Sequence, residues 1–461
     1  MNFVSKNGAG KLNDLPVDPS RICLYCIMVA RNVPRPNARG HFVQVSGIDR
    51  ARAFAQDCFN RGNLAAAEVV CRDILSASPA DAVALHLLGV IAARIGMRDH
   101  AQRYLSEALS ADPGRSAARD ALAALSGGLP PAPAAQQRPP SPKYLVIKSW
   151  GFGFWSDVSQ VLGALLLAEC TSRIPVVHWG SNSLFGDGSG RDAFLHYFEP
   201  VSDVTLQDVA KIPGVGCFPP KWSCQNLFDE NLNKWQGSYS RAAAIYFLAR
   251  QETIAICDFY IGVIDVAPWL MPDHPMYGKP LIAVYRYLIN KYLRPRQSFL
   301  VEREAFFRTH LAVSPFVALH IRGSDKSGEQ AELDVINQAN RAALATVDSS
   351  WKIFLLTDDE NWLARIKKAY GDRVVATDSH RTAGATGVHY LNVADNRIRL
   401  GYEVMMDVYL ATRADKFFGN GQSNVAAFVE MLKDWGAGNC VLSAPSLLMT
   451  RNLFIHLVPR R

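Results

Sequence analysis

The densest chemistry in the chain stands at residues 320–326, where His320-Ile321-Arg322-Gly323-Ser324-Asp325-Lys326 follow the apolar run Phe316–Leu319. An expected strand, 316–321, thus delivers an imidazole, a guanidinium, a carboxylate and an ammonium almost together. A guanidinium keeps its charge at every working pH and makes paired bonds to phosphate oxygens. Arg322 is therefore a candidate diphosphate ligand, with Asp325 to hold it and Lys326 to neutralise a departing phosphate. A strand ending in solvated charges explains one such residue better than it explains the whole cluster. Thr357-Asp358-Asp359 follows a second apolar run, Lys352–Leu356; its carboxylates either cap the next helix or accept from a ribose or base edge. Asp407 lies four residues after Glu403 on one face of a helix expected over 399–412. Val404, Met405 and Val408 flank it, so its carboxylate borders the core and needs partners, whether a ligand edge or backbone groups. Gly419-Asn420-Gly421-Gln422-Ser423-Asn424 joins an expected strand (416–418) to an expected helix (425–435). Its glycines permit a tight turn, and Ser423 or Asn424 can cap the helix and leave N–H groups aimed at an anion.

These groups need a scaffold that brings strand ends together. After residue 311 apolar strands and amphipathic helices alternate, which means a parallel sheet covered on both faces, with ligands beyond the carboxyl ends of its strands. A second such unit opens at 144–148 with a strand, a Gly/aromatic turn (SWGFGFW), a helix over 157–170 and a strand at 175–179. Gly151-x-Gly153 lacks the third glycine of a dinucleotide fingerprint, which argues against NAD. Trp150, Phe152, Phe154 and Trp155 either face the cleft, where aromatic faces stack on an acceptor sugar, or pack the first strand–helix unit. Residues 180–300 are rich in Trp, Tyr, Pro and Asn, and read as long loops with some helices, such as 241–250. The expected fold class is α/β: a pair of Rossmann-type domains with a cleft between them, lobes 143–310 and 311–450.

The first third reads differently. Residues 1–46 form an expected disordered leader, and 127–142 (GGLPPAPAAQQRPPSP) a semi-rigid Pro-rich linker. Between them, 47–126 is Ala- and Leu-rich, and Pro79 and Pro113 stand 34 residues apart. Leu85, Leu88, Gly89, Ala101, Leu105, Ala108 and Pro113 fall at tetratricopeptide spacing, with Phe54, Ala55, Ala67, Ile74 and Pro79 in the preceding unit. Small residues let paired helices approach, and 114–126 supplies a capping helix. Such a module serves as a protein-docking or homodimer surface.

Composition sets the outer bounds. Lys+Arg total 49 against Asp+Glu 42, a net +7 spread thinly over 461 residues. That suits an anionic small ligand and argues against nucleic acid, since no dense basic block occurs. The most apolar long run, Ile254–Met271, contains Asp258 and Asp265, which are costly in lipid. No signal of the usual form stands at the N-terminus, so a cytoplasmic location is expected. Nine cysteines, scattered and odd in number, read as reduced thiols, and the lone Cys23-x-x-Cys26 has no second ligand pair for zinc.

HIRGSDK at 320–326, LLTDDENWL at 355–363 and MDVYLATRADKFFGNGQSNVA at 406–426 resemble the α1,6- and protein O-fucosyltransferase superfamily, nearest its nodulation-factor and core α1,6-fucosyltransferase branch. The resemblance covers residues 311–435 in sequence and 143–310 in architecture alone. It implies a GT-B-like fold, a GDP-fucose donor on the C-terminal lobe, inverting transfer to a glycan or protein acceptor, and no metal or other cofactor. It also implies roles. Arg322, with His320, Asp325 and Lys326, would bind the donor diphosphate; Asp358 and Asp359 would support the donor site; Asp407 would read guanine; Ser423 and Asn424 would contact phosphate. The branch often carries two adjacent arginines, and here the second position is Gly323. Glu329 and Glu332 are the candidates for the base that activates the acceptor hydroxyl. The rival readings are the same architecture with another nucleotide sugar, and a repeat-bearing scaffold that has lost activity.

Overall fold

The computed structural model describes residues 41–126, 141–230, 244–312, 315–323, 330–383, 387–388 and 397–449. The chain divides into two compact units, with the boundary near Pro131. Asp325, Lys326 and Glu329, and most of the expected leader and linker, lie outside the described residues.

The first unit is all helical: α1 (His41–Asn60), α2 (Leu64–Ala77), α3 (Ala82–Arg94), α4 (Arg98–Ala111) and α5 (Ser116–Ser126). Among the described residues the first helix starts at His41, so the end of the stretch expected as leader is helical before residue 46. The turns explain the period. Gly62 and Gly96 both adopt the left-handed conformation, φ 77° and 86°, and stand 96 − 62 = 34 residues apart. Asn63 then caps α2 through Ala66 N–H, and Asp81 caps α3 through the N–H groups of Val83 and Ala84. At Gly89 a Cβ would lie 2.7 Å from Leu105 Cγ, so glycine is what lets α3 and α4 close on each other. Ala101, Leu105 and Ala108 are fully buried at that contact. Glu68, Arg72 and Tyr104 tie the interior with bonds of 2.8 and 2.7 Å to the buried guanidinium.

Among the described residues the second unit is mixed α/β with two parallel sheets. The first has the order β2-β1-β4-β3, from β1 (Tyr144–Lys148), β2 (Ile174–His178), β3 (Cys217–Phe218) and β4 (Ile254–Cys257). The second runs β7-β6-β5-β8-β9, from β5 (Phe316–His320), β6 (Lys352–Leu356), β7 (Val374–Val375), β8 (Lys416–Gly419) and β9 (Cys440–Leu442). All recorded pairings within both are parallel, and the central strands are buried on both faces, as continuous apolar runs require. Four helices matter for the site: α6 (Phe154–Cys170) after β1, α7 (Gln330–Leu344) between β5 and β6, α8 (Arg397–Ala411) before β8, and α9 (Asn424–Leu432) after it.

One expectation needs correction: the helix expected over 241–250 is only a short 3-10 turn, Ala244–Tyr246, within its described part. The apolar stretch from Ile254 is a four-residue strand followed by a short helix at Val263–Val266. Two further helices are Leu281–Tyr292, within the span read as loops with some helices, and Gln297–His310. Among the described residues no helix is long and apolar enough to cross a membrane.

Candidate functional site

In the second sheet the strand order reverses between β5 and β8, and a crevice opens beyond the carboxyl ends at such a point. A pocket with about 200 Å³ of open interior lies there, reached by every element the sequence reading singled out. His320 and Arg322 line it from the end of β5, Asp358 from β6, Asp407 from α8, and Ser423 and Asn424 from the start of α9. Gly153–Ser156, at the start of α6, line it too.

Part of the pocket lining suits negative charge. The starts of α6 and α9 both line it, and among the described residues neither is capped by a side chain at Gly153 or Ser423. Uncapped N–H groups and the positive ends of two helix dipoles therefore line the same pocket as the Arg322 guanidinium. The local sequence explains both starts. Gly151 takes φ 81°, and the buried Asp157 carboxylate accepts from the N–H groups of Gly151 and Phe152 at 3.2 and 3.1 Å, which folds the aromatic turn back over its own helix. At Gly421 a Cβ would lie 2.0 Å from the Ala444 carbonyl oxygen, so the turn before α9 has room for glycine alone.

The loop bearing Arg322 is held from behind. Asn337 donates to the Arg322 carbonyl oxygen at 2.9 Å and Asn340 to that of His320 at 3.3 Å; both asparagines are buried on α7. Gly323 N–H donates to Asp358 Oδ1 at 3.2 Å. A Cβ at Gly323 would stand 2.5 Å from Asp359 Oδ2, so a second arginine there would displace the residue that starts the next helix. Burial, and after it the Arg322 charge, pushes the His320 imidazole down to about 3, leaving it uncharged at neutral pH.

The lining also has an acidic part. Burial pushes the Asp407 carboxyl up to about 7, while Thr377 Oγ1 donates to its Oδ1 at 2.6 Å. Glu403, one turn earlier and also buried, accepts from the backbone N–H of His380 at 2.9 Å and from its ring Nδ1 at 3.0 Å. Arg381 braces this wall through the carbonyl oxygens of Thr357, Ser379 and Thr377 at 2.8–3.1 Å. Ser379, His380 and Glu403 all line the pocket.

The remaining candidates fall elsewhere. Asp359 caps the helix Glu360–Tyr370, accepting from Asn361 and Trp362 N–H at 2.7 and 3.0 Å, and does not line the pocket. Trp150 is buried and packs edge-on against Phe259, with Phe152 beside it; neither lines the pocket. Phe154 and Trp155 do line it but are themselves buried. Trp155 lies on Phe428 with ring centroids 4.4 Å apart and donates to the Val404 carbonyl oxygen at 3.3 Å, which joins α6 to α8 and α9. Glu332 falls in the first turn of α7. Sequence reasoning missed Asn337, Asn340, Thr377, Ser379, His380 and Arg381. Among the described residues no group of three or more His, Cys, Asp or Glu gathers to hold a metal.

No protein-family model matches the chain. Cellulose synthase operon protein C of Komagataeibacter xylinus is 33% identical over 123 residues, 25% of this chain and 9% of that protein; the match spans less than a tenth of that relative's length. Three solved structures resemble the chain distantly. Fucosyltransferase NodZ from Bradyrhizobium is 17% identical, over 63% of this chain and 92% of its own, with a TM-score of 0.42. POFUT1 in complex with GDP-fucose is 15% identical over 67% and 98%, with a TM-score of 0.37. A point mutant of Arabidopsis thaliana FUT1 in complex with GDP is 12% identical over 73% and 76%, also at 0.37.

Proposed function

We propose that this chain is an inverting glycosyltransferase that moves fucose from GDP-fucose to a glycan or protein acceptor. The observation that carries the reading is the make-up of one pocket. Arg322 and two helix starts that no side chain caps line it, and so do Asp407 and Glu403. A nucleoside diphosphate needs both kinds of partner, cations and N–H donors for its anion and acceptors for its own N–H and O–H groups. Neighbouring strands lie about 5 Å apart, so the step from the β5–β8 crevice to the β7 end is within the reach of a nucleoside. Guanine and fucose are taken from the motif resemblance of residues 320–326, 355–363 and 406–426.

In this reading Asp407 accepts from the guanine edge, and Asp358, which holds Gly323 N–H, supports the loop that grips the diphosphate. Glu329 or Glu332 takes the proton of the acceptor hydroxyl as its oxygen attacks the anomeric carbon. The bond from that carbon to the β-phosphate oxygen breaks, and the charge left on GDP is met by Arg322, Lys326 and the α9 start. The two sheets are the lobes of a GT-B-like enzyme, with the acceptor entering from the first. The helical unit is a tetratricopeptide-type module for a protein partner or a second copy. The location is cytoplasmic.

The test is a thermal-shift screen of the full chain with GDP-, UDP- and CMP-sugars, followed by donor hydrolysis and linkage analysis of the product. GDP-fucose is expected to raise the melting point by mass action and to be turned over. A response to a UDP- or CMP-sugar alone reassigns the donor, and a response to none rejects the transferase.

A further inference from the structure

His380 enters the pocket in a way that its neighbours do not. Its backbone N–H and its ring Nδ1 both engage Glu403, at 2.9 and 3.0 Å, and the Glu403 carboxylate is further held by Arg399 Nε at 3.4 Å. With Nδ1 turned onto the carboxylate, the ring is fixed in position and rotation. The ring nitrogen that remains is Nε2, on a side chain 38% exposed that lines the pocket. Asp407 and Thr377, on the same wall, are far more buried at 8% and 7% exposure. The wall therefore has two depths: a deep carboxylate suited to a base edge, and a ring nitrogen nearer the mouth.

We infer that His380 is a specificity-determining residue, and that its Nε2, set by Glu403, bonds a ribose hydroxyl of the nucleotide held in this pocket. A hydroxyl is the natural partner because it donates to a neutral imidazole and accepts from a protonated one. The ribose is also the part of a nucleoside diphosphate that lies between the base and the phosphates, at the mouth side of Asp407. Glu403 acts through His380 and is a positioning residue. The inference rests on the nucleotide reading of the pocket.

The experiment is calorimetric titration of the full chain with GDP and with 2′,3′-dideoxy-GDP. Wild type should prefer GDP about three- to tenfold, the worth of one ordinary hydrogen bond. His380→Ala should bind the two alike, His380→Gln should restore part of the preference, and Glu403→Gln should weaken it. Thermal unfolding of each variant separates a folding defect from a lost contact. If His380→Ala keeps the wild-type preference, or wild type shows none while GDP binds, the assignment of His380 is wrong and the pocket reading stands. If neither GDP nor UDP nor ADP binds wild type, the pocket reading falls and this inference with it.

Discussion

Each sheet of the second unit has one place where its strand order reverses, between β1 and β4 in the first and between β5 and β8 in the second. Both places are furnished with charge. In the first, Lys148 ends β1 and Asp258 follows β4, but the space is filled by the chain itself. The Lys148 ammonium donates to the Asp229 carbonyl oxygen at 2.7 Å and sits over the Trp222 ring, and Lys221 pairs with Asp258 at 2.5 Å. Lys148 and Asp258 are both buried. In the second, Arg322 and the α9 start flank a pocket. Charge at a strand end is therefore not enough to make a site. What the second shows is a pocket beside the charge and a brace that holds the charged loop from behind.

The largest expected contrast comes from removing one cation from each crevice. Arg322→Ala should cost on the order of 3 kcal/mol in transition-state binding, a hundredfold or more in donor turnover, as losing a preorganised anion donor does. Lys148→Met should leave turnover within about twofold and instead destabilise the fold by about 2 kcal/mol, because a buried carbonyl loses its donor. Steady-state kinetics with chemical denaturation distinguishes them, and equal kinetic losses would erase the contrast.

Asp407 gives an effect of pH. Its carboxyl is raised in the folded chain to about 7 from an unfolded value near 3.9. The unfolded chain then ionises first, so stability falls as pH climbs from about 4 to 7 and is flat above that, by up to a few kcal/mol. Asp407→Asn should remove this slope in denaturation curves measured from about pH 4 to 8. A ligand that offers N–H donors favours the ionised form, so GDP affinity should rise as pH passes through about 7 in wild type and stay level in the variant.

Asn337 tests the brace. Its amide nitrogen serves the Arg322 carbonyl, while its buried Oδ1 has no partner among the described residues, so the side chain already carries a desolvation cost. Asn337→Ala should thus lower stability by only about 1 kcal/mol and yet weaken GDP binding about three- to tenfold. A stability loss without a change in affinity would mean that the brace does not reach the site.

The sequence exposed one crevice well and the other poorly. Strands β5 and β6 are five-residue runs, largely apolar and ended by charge, so His320, Arg322 and Asp358 could be placed at strand ends from pattern alone. Glu403 and Asp407, four apart on one helix, needed only the helical period. Strand β4 is four apolar residues running into a further apolar helix, and periodicity does not divide such a run. Strand β3 is two residues and leaves no pattern. Strand β7, expected at 374–376, is found at Val374–Val375, but the turn after it was not singled out, and Thr377, Ser379 and His380 went unread. The aromatic turn was legible only as two alternatives, a sugar platform or core packing. Trp150, Phe154 and Trp155 are buried, and Phe154 and Trp155 also line the pocket. Asn337 and Asn340 gave no signal at all, since a buried amide that holds a loop is indistinguishable in sequence from an exposed one on a helix.

The most direct measurement is a crystal structure of the full chain grown with GDP. The phosphates should lie against Arg322 and the N–H groups of Ser423–Val425, with the guanine edge on Asp407. Nucleotide bound at the carboxyl edge of the first sheet instead, or phosphates turned away from Arg322 within the second, would contradict the account.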